Sequence, residues 1–285
     1  MIKTLCIGAA TAYAATRLFN RFYAPTVRRQ IQEPFTAYRQ RELYTSAVLS
    51  KLAYDENICM SDTKQIHSQW RLHPGMKPIS FHEDLEADAQ AYIWHDMEVN
   101  VTHVVFRGTE HERDVLADLD VRTVHETEWD KINAHMRVHK GFCRQFMSIK
   151  ASLWADLAKS NHRRVVFSGH SLGAALATIA SLFYAIENEN NGKIVECYTI
   201  GSPRVGNHAF ASEFSKHVSN HCRIFNENDV VAMIPISSRF CHVDNGLCID
   251  DSGNFYSVAK DDPWFLRMFV SLADLDVESD HRSRL

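Results

Sequence analysis

The chain has 285 residues, 45% of them hydrophobic and 23% charged, a composition that excludes disordered, collagen-like and fibrous proteins and leaves room for one large core. Lys and Arg total 31 against 35 Asp and Glu, a net charge of -4, so no basic surplus points to nucleic acid. No apolar run reaches the roughly 18 residues that a spanning helix needs; Arg17 closes the longest candidate, Thr4 to Thr16.

The charge is unevenly distributed. Five of the basic residues, Lys3, Arg17, Arg21, Arg28 and Arg29, fall in residues 1–32, which hold no acidic residue, leaving 26 basic against 35 acidic residues in the remainder. Residues 1–34 are therefore set apart as a basic leader. Lys3, a short apolar stretch and Ala12-Tyr13-Ala14 outline a secretory signal, while the Arg-rich, acid-free part after Ala15 fits a transit peptide or an amphipathic stretch on an anionic membrane. The competing expectation is a frayed or core-docked helix. The leader favours secretion or membrane association over a cytoplasmic location.

Residues 35–285 contain no repeat, low-complexity tract or Pro/Gly/Ser-rich linker and are read as one domain. Phe35 to Asp55 carries Leu43, Ala47, Leu49, Leu52 and Ala53 at helical spacing, which predicts a packing helix. Ala89 to Trp94 and Val101 to Phe106 are strand-like runs around a polar stretch, as in a hairpin. Helices are predicted at Phe142 to Lys159, Leu172 to Glu187, Ala209 to Val218 and Trp264 to Leu275, and strands at Arg164 to Ser168, Ile194 to Ile200 and Cys222 to Asn226. Strands alternating with helices imply a mainly parallel sheet covered on both faces, an α/β fold.

Seven cysteines are scattered without a CxxC pair, so neither a zinc site nor a small disulfide scaffold is expected. Cys143 and Cys197 read as buried free thiols; only Cys241 and Cys248 are close enough to suggest a bridged hairpin. Among the 16 histidines, His135 and His139 are four apart and would share a helix face, but no Glu follows His135 as a zincin helix requires. No phosphate loop or dinucleotide fingerprint is present, and no cofactor is expected.

The chemistry concentrates in Gly169-His170-Ser171-Leu172-Gly173, between the apolar run Val165-Val166-Phe167 and the small-residue stretch Ala174-Ala175-Leu176-Ala177. A G-x-S-x-G between a buried strand and a helix forces its serine through a strained turn, and the glycines make room where side chains would clash. Ser171 would stand at the helix N-terminus, where backbone N–H groups, that of Leu172 first among them, stabilise an oxyanion. The alternative is a glycine-rich turn with a capping serine.

A serine hydroxyl needs a base, and the base an orienting carboxylate. With the order serine, acid, histidine, the best acid is Asp229, directly after the strand ending at Asn226; Asp244, Asp250 and Asp251 lie in polar, turn-like contexts. Two histidines follow. His242, within Phe240-Cys241-His242-Val243, could equally be a packed, hydrogen-bonded residue, and His281 lies on a terminal loop after the predicted helix.

From Ala47 to His281 the chain resembles the class 3 lipases, α/β-hydrolases that include fungal triacylglycerol lipases, plant phospholipases A1 and feruloyl esterases. The landmarks are Val104-Val105-Phe106-Arg107-Gly108-Thr109, Val138-His139-Lys140-Gly141-Phe142, the serine pentapeptide, Tyr198 to Asn207, Asn226 to Pro235, and Asp280-His281. The resemblance implies a triad of Ser171, Asp229 and His281, an oxyanion hole of Thr109 and Leu172, and a non-catalytic role for His242. It implies hydrolysis of lipid esters, acylglycerol or phospholipid acyl chains, through an acyl-enzyme. The basic leader would supply any peripheral membrane contact. Rival readings are a catalytically silent lipase-like scaffold for protein or membrane interaction, and an acyltransferase using an alcohol in place of water.

Two departures qualify the resemblance. His281 stands five residues from the end of the chain without the aromatic residue that usually follows the family's histidine. Where the family carries a mobile lid, this chain has Glu110-His111-Glu112-Arg113-Asp114, with apolar contact confined to Val115, Leu116 and Leu119. A charged lid gains little on hydrocarbon, so weak interfacial activation and a preference for partly polar esters are expected. Alternatively these charges form a solvated face and the lid function falls to Val121 to Trp129.

Overall fold

A computed structural model describes residues 28–30, 36–55, 68–109, 122–125, 129–226, 229, 231–235, 237, 239–250 and 252–258. Its strands are β1 (Arg28–Gln30), β2 (Met76–Asp84), β3 (Ala89–Asp96), β4 (Val101–Phe106), β5 (Thr123–Val124), β6 (Val138–His139), β7 (Arg164–His170), β8 (Ile194–Ile200), β9 (Asn220–Asn226), β10 (Gly246–Ile249) and β11 (Phe255–Val258). The helices are α1 (Ala37–Leu52), α2 (Asp130–Asn133), α3 (Lys140–Leu157), α4 (Leu172–Glu187) and α5 (His208–His217).

Nine strands form one sheet in the order β1-β11-β10-β9-β8-β7-β4-β3-β2, and β5 pairs with β6 apart from it. The run from β4 through β7, β8 and β9 to β10 is parallel, and antiparallel pairs flank it at both ends. This is the expected α/β-hydrolase arrangement, with the parallel strands all ending on one edge.

Alternation along the strands explains the two covered faces. Val104 and Phe106 of β4, Val165 and Phe167 of β7 and Ala91 and Ile93 of β3 join α3 and α4 in the main core. Their neighbours point the other way: Tyr92, Trp94 and Val105 pack with Val48, Leu49 and Leu52 of α1, and Val101 and Val166 with Leu43. With both faces buried, the central strands read as continuous apolar runs.

The predicted helices and strands up to β9 are all present, with boundaries shifted by a few residues. Six strands, β1, β2, β5, β6, β10 and β11, have no counterpart in the sequence reading. β2 contains Pro78 and shifts register between Pro78 and Ser80, a disruption tolerated because β2 is an edge strand. β10 and β11 are only four residues each, too short for periodicity to register. At the far edge β1 pairs antiparallel with β11, Arg28 opposite Val258, so three residues of the basic leader complete the main sheet. The predicted helix from Trp264 lies outside the described residues.

Two expectations are corrected. Cys241 and Cys248 are not bridged to each other; Cys241 joins the main core and Cys248 a separate cluster with Phe225 and Val258, so the two thiols serve different packing layers. His135 and His139 do not share a helix: His135 follows α2 in an exposed turn, and His139 ends β6. His139 caps α3 instead, its Nδ1 accepting from the Phe142 N–H at 3.3 Å. Among the described residues no helix is long and apolar enough to cross a membrane.

Candidate active site

The site is built on the carboxyl edge of the parallel strands. β7 ends at His170, α4 begins at Leu172, and Ser171 between them holds φ 56° and ψ -124°. A non-glycine residue at positive φ is strained, and the surroundings hold it there. The Ser171 N–H donates to the Ile200 carbonyl at the end of β8 at 3.0 Å, and the Ser171 carbonyl accepts from Ala174 N–H at 3.0 Å.

The two glycines of the pentapeptide are required by close approach. A Cβ on Gly169 would lie 2.8 Å from the Ala174 nitrogen, and one on Gly173 2.8 Å from the Arg107 carbonyl oxygen. The elbow is thus pressed against the end of β4. Ser171 is fully buried, and its Oγ has no hydrogen-bond partner among the described residues. A buried hydroxyl without a partner costs stability, as expected of a group held for chemistry and not for packing.

The residues after β4 run beside this elbow. A Cβ on Gly108 would come within 2.6 Å of the His170 carbonyl oxygen, so Thr109, the next residue, follows directly from a contact with the elbow backbone. Thr109 is half-buried, and Leu172 is buried at the first turn of α4. Both oxyanion candidates therefore adjoin the turn that carries Ser171. Arg107 is held in turn by Gln90 of β3, through a backbone bond of 3.1 Å and a side-chain bond of 2.6 Å.

Sequence reasoning missed Tyr54, in the turn after α1, whose hydroxyl lies 2.9 Å from His170 Nδ1 with the two rings edge to face. No spacing rule connects a residue 116 positions upstream to the pentapeptide; only the packing of α1 across the sheet brings it there.

Asp229 follows β9, two strands from the elbow on the same edge, and is 3% exposed. Its Oδ1 accepts from the Val231 N–H at 2.9 Å and the Ala232 N–H at 3.4 Å, capping the 3-10 turn Val231–Met233. Asp244 bonds Ser215 and Asp250 caps its own turn, while Asp251 lies outside the described residues; of the three described candidates Asp229 is the buried one. His242 Nε2 donates to the Ala232 carbonyl at 2.7 Å, the packed role. His281, and the lid stretch from Glu110 to Val121, lie outside the described residues.

Among the described residues no group of three His, Cys, Asp or Glu side chains could hold a metal ion. The arrangement offers covalent chemistry instead: a strained, buried serine at a helix N-terminus, with a second backbone segment and a buried carboxylate on the same edge.

Comparison with known proteins agrees with this geometry. A family profile described as lipase (class 3) matches residues 103–238, spanning β4, the elbow and the Asp229 loop. The lipase of Rhizomucor miehei is 28% identical over 183 residues, covering 62% of this chain and 49% of its own length. A secreted mono- and diacylglycerol lipase of Fusarium solani is 31% identical over 102 residues, 34% of this chain and 29% of the relative. The chain spans about half the length of the first curated relatives it matches. In three dimensions it is similar to the solved triacylglyceride lipase of Rhizomucor miehei, with a TM-score of 0.66 at 26% identity over 81% of this chain and 88% of the other. A sheet of this order with its serine elbow is matched over residues 103–238 by the class 3 lipase profile and in three dimensions by a fungal lipase, so the chain has the α/β-hydrolase fold and is similar to the class 3 lipases.

Proposed function

We propose that the protein is a serine carboxylic ester hydrolase acting on lipid esters, acylglycerol or phospholipid acyl chains. The observation that carries this reading is Ser171: strained to φ 56°, buried, and with its Oγ unpartnered among the described residues at the N-terminus of α4. Ser171 Oγ attacks the ester carbonyl while His281 takes the hydroxyl proton. Asp229 orients the imidazole and stabilises the imidazolium. The tetrahedral oxyanion is held by the Leu172 N–H and by Thr109. Collapse breaks the bond to the alcohol, which leaves with the proton from His281, and water then repeats the sequence on the acyl-enzyme. No step calls for a cofactor.

The relatives' names support a lipid substrate, and two of them are described as secreted, in keeping with a place outside the cell or at a membrane reached through the basic leader. The charged stretch Glu110 to Asp114 supports partly polar esters over bulk triglyceride, since burying it against hydrocarbon is costly.

The test is the initial rate of ester hydrolysis as substrate passes its solubility limit, for the wild type and Ser171→Ala in parallel. Activity in the wild type alone, saturating smoothly below the limit, is expected. A jump at the limit would overturn the polar-ester preference. Equal background rates on every ester would overturn the hydrolase reading in favour of a silent scaffold.

A further inference from the structure

The carboxylate of Asp229 stands on neither a strand nor a helix. It sits between β9 and the short turn Val231–Met233, and its Oδ1 is aimed by the N–H groups of that same turn. Where the carboxylate points therefore depends on where the turn is fixed. The turn and the residues after it expose four successive carbonyls, and all four are taken by two residues from outside the loop. His242 Nε2 donates to Ala232 O at 2.7 Å. The Arg204 guanidinium donates through Nη1 to Met233 O and, at 3.3 Å, to Pro235 O. The Arg204 backbone N–H donates to Ile234 O at 2.7 Å.

Arg204 is only 3% exposed. Burial pushes its pKa down to about 10, so it is still a cation at neutral pH, and a buried cation is retained only where its hydrogen bonds are well placed. The two donors are also tied to each other. Arg204 and His242 lie on segments joined by the bridge between Gly206 and Cys241, with Cys241 N–H donating to Gly206 O at 2.9 Å. Val138 bridges the other side of Gly206, and His139 N–H donates to Val205 O at 2.9 Å. The clamp is thus anchored to α3 through the β6 strand, and not to the loop it holds. A second buried guanidinium, Arg223 of β9, interacts electrostatically with both Arg204 and Asp229.

We propose that Arg204 and His242 are positioning residues that fix the Asp229 carboxylate by clamping the backbone carbonyls of residues 232–235, and so set the basicity of the catalytic histidine. This rests on the triad reading given above. A well-placed carboxylate favours the imidazolium and raises the base's pKa, so a loosened one lowers it. His242→Ala and Arg204→Met should then reduce kcat about tenfold to a hundredfold, the range that a displacement of about an ångström produces, with KM changed less than about twofold. The acid limb of the kcat/KM profile should move to lower pH. His242→Gln, which keeps an N–H donor, should recover most of the rate.

The decisive measurement is a double-mutant cycle on the full chain: wild type, His242→Ala, Asp229→Asn and the double variant, each with a pH profile and a thermal melt. If the clamp acts through Asp229, His242→Ala costs little further activity once Asp229→Asn is present. Fully additive losses, or a lowered Tm with kcat and pH profile unchanged, would overturn the clamp and leave the triad intact. An Asp229→Asn variant as active as the wild type would overturn both. Should Arg204→Met fail to fold, the His242 arm decides alone.

Discussion

The Tyr54 hydroxyl and His170 Nδ1 share a hydrogen bond of 2.9 Å, joining the turn after α1 to the residue that immediately precedes Ser171, the proposed nucleophile. The same hydroxyl packs against Gly108, where any Cβ would strike it. One phenol therefore contacts the His170 side chain and the backbone at Gly108, the residues just before Ser171 and Thr109. Tyr54→Phe keeps the ring and loses the bond, and it should lower kcat about tenfold, in the range that loosening a reacting geometry produces, with Tm nearly unchanged. Gly108→Ala, which must displace either Tyr54 or the His170 carbonyl, should cost at least as much. Steady-state kinetics of the two variants beside the wild type checks both.

The fit of the elbow against β4 makes a stability prediction. Gly173→Ala places a methyl 2.8 Å from the Arg107 backbone, and neither the strand end nor the helix start can retreat freely. Overpacking of this kind costs about 1–3 kcal/mol, and the upper end is expected here because the atoms the methyl would meet belong to the backbone. Urea denaturation measures it, and an unchanged midpoint would mean the elbow is looser than its contacts indicate.

Far from the serine, Arg164 of β7 is shared by two buried glutamates, at 2.9 Å from Glu196 and 3.6 Å from Glu42. Glu196 also accepts from Tyr38 at 2.7 Å and Tyr198 at 2.9 Å, whereas Glu42 Oε2 has no partner among the described residues. Burial first, and Glu196 nearby, push the Glu42 pKa up despite Arg164. A carboxyl with a raised folded pKa holds its proton longer in the folded state, so its contribution to stability falls as pH rises above the unfolded value. Glu42→Gln should therefore match the wild type near pH 4 and gain on it towards pH 8. Arg164→Met, which strands two buried carboxylates, should lose about 3–5 kcal/mol. Thermal melts across that pH range separate the two.

Burial also governs the acid limit. His103 of β4 is buried, and desolvation pushes its pKa down to about 3; His82, His95 and His221 are lowered for the same leading reason. A depressed histidine stays neutral in the fold while the unfolded chain takes up the proton. Stability is then lost as pH falls from the unfolded value near 6.5 towards the folded one, by about 1.4 kcal/mol per pH unit for His103 while only the unfolded state is protonated. His103→Leu should flatten the dependence of stability on pH between about 6 and 4 by close to one proton. An unaltered slope in denaturant titrations would show that His103 is not among the groups responsible.

The sequence by itself determined the local framework. Apolar runs such as Val101 to Phe106 and Ile194 to Ile200 are long enough to announce buried strands, α4 begins and ends at the residues its pattern predicts, and the pentapeptide around Ser171, set between a buried strand and a helix, calls for the strained turn it adopts. Asp229 could be chosen because its position after a strand is itself a local property. The tertiary structure alone decided what lies across the sheet. Tyr54 meets His170 over a separation of 116 residues. Cys241 and Cys248, neighbours in the chain, go to different cores. Arg204 and His242 converge on four carbonyls that no motif marks. The division follows from the range of the interactions: backbone geometry and hydrophobic period are written in adjacent residues, whereas a hydrogen-bond partner is chosen by which segments the packed sheet brings within about 3 Å of each other, and that is set by the whole chain at once.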